Sequence, residues 1–61
     1  MDREVIERFL NLYVLIVNDE NYVKTGKITE IFDNSIAFLT KGETIYLSFE
    51  RIKEIRPQER Y

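Results

Sequence analysis

Gly26-Lys27-Ile28-Thr29-Glu30-Ile31-Phe32-Asp33-Asn34-Ser35-Ile36-Ala37-Phe38-Leu39-Thr40 is the stretch that decides the fold. Ile28, Ile31 and Phe32, then Ile36, Phe38 and Leu39, give two runs rich in β-branched and aromatic residues. Asp33-Asn34-Ser35 between them is a cluster of residue types whose side chains bond their own backbone in turns. The stretch reads as two antiparallel strands joined by a tight turn, one running from Tyr22 to Phe32 and the next from Ile36 to Thr40. Gly26 inside the first of these predicts a bulge or a sharp bend, the device by which a short sheet curls. Val23, Ile28 and Phe32 are expected to face inward.

Working outward, Leu12-Tyr13-Val14-Leu15-Ile16-Val17 is a strand by the same criteria, and Asn18-Asp19-Glu20-Asn21 is its turn. Ahead of it, Val5, Ile6, Phe9 and Leu10 form one apolar stripe at helical spacing, with Arg3, Glu4, Glu7 and Arg8 outside the stripe. This predicts a helix over about residues 2–11, with Asp2 as its N-cap and Glu4 in the first turn. Downstream, Lys41-Gly42-Glu43 is a turn, and Thr44 to Phe49 is a fourth strand with Ile45, Leu47 and Phe49 on one face. A short fifth strand, Ile52 to Arg56, is stopped by Pro57, and Gln58 to Tyr61 is a polar tail. Residues 1–61 thus form one mainly β domain, a helix and then five strands joined by short turns.

Composition narrows the chemistry. The 61 residues include no cysteine and no histidine, which excludes disulfides, Cys/His metal sites, cysteine nucleophiles and imidazole acid–base catalysis. Hydrophobic content of 44% with a formal net charge of −2 is that of a folding chain. That charge gives no long-range attraction for a polyanion, so any nucleic-acid contact must come from a local patch. Asp19 with Glu20 and Glu50 with Glu54 are carboxylate pairs, but in polar, solvated surroundings they lack the burial that general acid–base work needs. No catalytic residue, cofactor, metal or small-molecule substrate is expected. The longest apolar run, Val14 to Val17, is far too short for a membrane span, and the N-terminus does not resemble a signal peptide, so a cytoplasmic location is expected. At this length a single core seldom leaves more than about 3–5 kcal/mol of net stability. With no staple in the sequence, assembly with other chains is the remaining route.

Residues 3–57 resemble the Sm, LSm and Hfq proteins. Gly26 to Asp33 looks like the glycine, apolar, aromatic and aspartate core of the first Sm motif, preceded by a turn at Glu20-Asn21 and followed by apolar Ile36, Phe38 and Leu39. Ile52-Lys53-Glu54-Ile55-Arg56-Pro57 is similar to the end of Hfq. The resemblance implies a small, strongly bent, five-stranded antiparallel SH3-like barrel with an N-terminal α-helix, the Sm-like fold. It also implies a homo-oligomeric ring, a hexamer or heptamer, that binds single-stranded RNA as an RNA chaperone or ribonucleoprotein scaffold. The alternative is a structural or protein-interaction module of the same fold without RNA binding.

The positions with which Sm proteins hold uridine fall on Ala37 and approximately on Ser48, which lack the needed groups, and the Lys-His pair of Hfq is absent. Near the implied pore loops stand Asn34, Ser35, Phe49 and Arg51, suited to amide recognition, base stacking and phosphate pairing. Each has a plainer reading: turn hydrogen bonding for Asn34 and Ser35, core packing for Phe49, and a surface ion pair for Arg51 beside Glu50 and Glu54. Tyr22 and Lys24, with Thr25, lie on what would be the outer face of the ring, where the family binds adenine-rich RNA, or else form an ordinary solvated strand face. The last strand, with Ile52 and Ile55, is the expected subunit interface, because its edge is suited to pairing with a neighbouring barrel.

Overall fold

Five antiparallel strands in one sheet follow a short N-terminal helix in the computed structural model, which describes residues 1–58. The elements are α1 (Arg3–Glu7), β1 (Tyr13–Asn18), β2 (Val23–Ile31), β3 (Ser35–Thr40), β4 (Glu43–Ser48), a 3-10 turn η1 (Phe49–Arg51) and β5 (Ile52–Pro57). Neighbouring strands pair in the order β4-β3-β2-β1-β5, so residues 26–40 lie mid-sheet and β4 and β5 are the two unpaired edges. All of the expected polar tail beyond Gln58 lies outside the described residues.

The helix is shorter than its apolar spacing predicts. Asp2 occupies the N-cap position with extended backbone, but its side chain makes no capping hydrogen bond. At the other end Asn11 adopts φ 65, and its N–H donates to the Ile28 carbonyl (2.7 Å), which turns the chain from helix to sheet. Ile6 is fully buried while Leu10 is 40% exposed, so the stripe's last residue lies off the core.

Strand β2 divides its pairing between two neighbours. Residues 23–27 of it pair with β1 and residues 27–31 with β3, Lys27 being opposite both Tyr13 and Leu39. Gly26 makes this possible by leaving space: a Cβ there would sit 2.1 Å from the Leu39 carbonyl oxygen. The bulge itself is not at Gly26 but three residues on, where the β2–β3 register shifts between Ile28 and Glu30. Two of the three expected inward residues are thereby corrected, Val23 because no bulge separates it from Ile28 and Phe32 because one lies before it. Val23 has the opposite strand parity to Ile28 and is 57% exposed. Beyond the bulge the parity flips, so Ile31 packs against the core and Phe32, past the strand end, lies outside against Tyr46 with ring centroids 6.2 Å apart.

Two of the turns are legible in backbone detail. Lys41 and Gly42, with φ of 52 and 79, make a two-residue loop between paired Thr40 and Glu43, so Glu43 already belongs to β4. Between β1 and β2, Asn21 N–H donates to the Asn18 carbonyl (3.0 Å) and Asn21 takes φ 65, a three-residue loop. The Asn18 side-chain oxygen accepts from the Glu20 and Tyr22 N–H groups, which is why that position suits asparagine.

One core results. Ile6, Val14, Ile16, Ile28, Ile36, Phe38, Ile52 and Ile55 meet in it, with Ile45, Leu47 and Phe49 packed alongside. Residues from α1 and every strand therefore share a single interior, yet β4 and β5 are not hydrogen-bonded to each other and the sheet stays open. No helix among the described residues is long and apolar enough to cross a membrane.

Candidate functional site

Asn34, Ser35 and Phe49, distant in sequence, are brought together where the β2–β3 turn meets the end of β4. The Phe49 N–H donates to the Asn34 carbonyl (2.9 Å), the Phe32 N–H donates to the Ser35 carbonyl (2.8 Å), and Ser35 pairs with Ser48. The α1 end of the chain closes over the same place. The Met1 ammonium donates to the Phe49 carbonyl (3.0 Å), and the Arg3 guanidinium donates to the Phe32 carbonyl (2.9 Å) and lies 3.7 Å from the Asp33 carboxylate. The Asn34 side chain is exposed, Ser35 is half-buried, and the Phe49 ring is half-buried against the core. Of this group, Asn34 is the side chain most openly presented. Ala37 is core at 3% exposure, and the Ser48 hydroxyl oxygen caps η1 by accepting from the Glu50 N–H (3.3 Å).

Arg51 faces a different neighbour. Its guanidinium donates to Asp19 (3.3 Å) and to Glu20 (2.6 Å), and its carbonyl accepts from the Asp19 N–H (2.9 Å). These contacts fasten the start of β5 to the β1–β2 turn. The carboxylates flanking it in sequence are not its partners, and Glu54 pairs with Arg56 instead. The hydrogen bond with Asp19, then the charges of Asp19 and Glu20, hold the Arg51 pKa above its ordinary value. Because a raised folded-state pKa adds stability below the unfolded value and loses it only on passing the folded one, this contact supplies no switch near neutral pH.

On the opposite side of Gly26, Lys24 and Thr25 line an open cleft of about 350 Å³ with Val23, Thr40, Lys41, Glu43 and Ile45. The cleft forms because the β3–β4 turn lies beside the start of β2, where the Thr40 hydroxyl donates to the Thr25 carbonyl (2.8 Å). Tyr22 falls just before β2 rather than on it. Its ring is 64% exposed and it does not line the cleft, while its carbonyl accepts from the Asn18 N–H (3.0 Å). Lys41 is a cleft residue that strand reading passes over, because it lies in the turn and not on a strand. The signal available was a lysine in a two-residue loop, a place where the backbone favours Asn or Gly.

At the edges, Ile52 and Ile55 are 4% and 9% exposed. Their side chains belong to this chain's own core, so what β5 can offer a neighbour is its backbone and its outward Lys53 and Arg56. Among the described residues no group of three or more His, Cys, Asp and Glu is arranged to hold a metal ion. Comparison with protein-family models, with curated proteins and with solved structures finds no match for this chain in any of the three.

Proposed function

We propose that the chain is a ring-forming domain of the Sm/Hfq-like kind that binds single-stranded RNA, an RNA chaperone or scaffold. The observation that carries this reading is the strand order, which leaves two unlike open edges, β4 and β5, on a sheet whose one face is already buried. An edge of unpaired backbone groups is a template for another strand. Two unlike edges pair head to tail, each subunit's β4 with the next subunit's β5, and such contacts close into a ring when the rotation per subunit fits. Only the three residues of η1 separate the two edges, so a neighbour's strand would complete the barrel that one chain leaves open. A ring repeats every weak contact along one strand of RNA, which is how modest pockets add up to useful affinity.

A second reading, self-assembly without RNA binding, is favoured by one specific observation: Arg51 is already held by two carboxylates. Native mass spectrometry of protein purified without nuclease separates the two. A six- or sevenfold multiple of the 7.4 kDa chain carrying RNA mass is the expected result. A bare ring that also fails to bind oligonucleotides would transfer the case to the scaffold reading, and a monomer at all concentrations would end both.

A further inference from the structure

The cleft between the start of β2 and the β3–β4 turn has a chemistry that its surroundings lack. Most of the chain's described cations are occupied. Arg3, Arg51 and Arg56 are on carboxylates, Lys53 donates to Asn21 (2.9 Å), and Lys27 lies over the Tyr13 ring (5.8 Å). Lys24 and Lys41 make no ion pair among the described residues, and both line this one cleft. Their neighbours there include Thr25, Thr40 and the apolar Val23 and Ile45, with Glu43 as the single acid.

Lys41 adds an independent observation. It sits at φ 52, a left-handed conformation that costs an L side chain and that Asn or Gly adopts more readily. A lysine kept where the turn would favour another residue breaks a local rule, and such breaks concentrate at functional positions. We propose that Lys24 and Lys41 are a paired contact for the backbone phosphates of single-stranded RNA, with the apolar floor of Val23 and Ile45 beneath the strand. This rests on the RNA-binding reading above and adds to it both a residue, Lys41, and the chemical group recognised. Lysine suits the role as a point charge that needs no fixed angle, and an open cleft accommodates a backbone of varying conformation.

The test is the salt dependence of binding of a labelled oligoadenylate and a labelled oligouridylate to the full chain, for wild type, Lys24→Gln, Lys41→Asn and the double variant. Each phosphate contact removed lowers the slope of log K against log salt by about 0.7 for a single strand. The double variant should therefore lose about 1.4 from the slope for each subunit that the strand engages, on both probes, since phosphates carry no sequence information. Arg8→Gln, which removes a cation outside the cleft that makes no ion pair among the described residues, should lose clearly less. Lys41→Asn relaxes the turn, so its melting temperature should stay or rise while its binding falls, which separates lost contact from lost fold. Glu43→Gln removes the cleft's own acid and should tighten binding. Excess inorganic triphosphate should compete for wild type. Wild-type binding with an unchanged slope in the double variant overturns this inference and leaves the RNA reading standing. Absence of RNA binding by wild type overturns both.

Discussion

Gly26 shows how much one missing atom can decide. Its neighbour is backbone, the Leu39 carbonyl 2.1 Å from where a Cβ would lie, so a side chain there could be accommodated only by moving β3 away from β2. Overpacking against fixed backbone is among the more costly point changes, and Gly26→Ala should cost about 3 kcal/mol or more. Gly42 differs, having open space around it and φ +79, so Gly42→Ala should cost about 1–2 kcal/mol from backbone strain alone. Thermal or urea melts of the two variants compare them directly. Equal losses would show that β2 and β3 shift to accommodate the added Cβ and that their close approach does not set the demand for glycine at residue 26.

Among the elements, β4 offers the cleaner test of edge pairing. Around a two-residue loop the flanking residues Thr40 and Glu43 form the hydrogen-bonded pair, so Thr44, Tyr46 and Ser48 turn their backbone groups away from β3. Proline at such an outward position removes no internal ladder bond and is tolerated on an edge. Tyr46→Pro should therefore leave the circular dichroism spectrum of the chain largely unchanged while dispersing the proposed ring to monomers in native mass spectrometry. Tyr46→Thr, which also loses the ring contact with Phe32 but keeps the N–H, should remain assembled. If the proline variant stays a ring, β4 is not the pairing edge.

For the whole molecule, the core is small and nothing covalent braces it: eight buried apolar side chains form the cluster, and the chain has no cysteine. A core of this size leaves only about 3–5 kcal/mol. The surface ion pairs of Arg3, Arg51 and Arg56 add little, since exposed pairs are screened by water and cost side-chain entropy to hold. Assembly would add stability by mass action, so the melting midpoint should climb with protein concentration. A midpoint that is flat over a hundredfold range of concentration would mean that the isolated chain supplies its own stability and that any ring is incidental to it.

Strand identity and turn positions were legible in the sequence, because alternation, β-branching and turn chemistry are local properties that short peptides already possess. The inward place of Ile28 follows from the stretch around Gly26, whereas Val23 and Phe32, read the same way, lie outside the core. The sequence by itself also determined what chemistry is absent, since a chain with no histidine or cysteine lacks those side chains in any fold. What only the tertiary structure decided are the pairings between distant residues. The bulge at Thr29, and with it the exposure of Phe32, depends on how β3 lies against β2. Arg51 finds Asp19 and Glu20 instead of its sequence neighbours because β5 pairs with β1. Lys24 and Lys41, seventeen positions apart, share a cleft only because the β3–β4 turn lies beside the start of β2, held there by the Thr40 hydroxyl on the Thr25 carbonyl. Local pattern fixes what a residue can do, and chain closure over many residues selects the partner with which it does so.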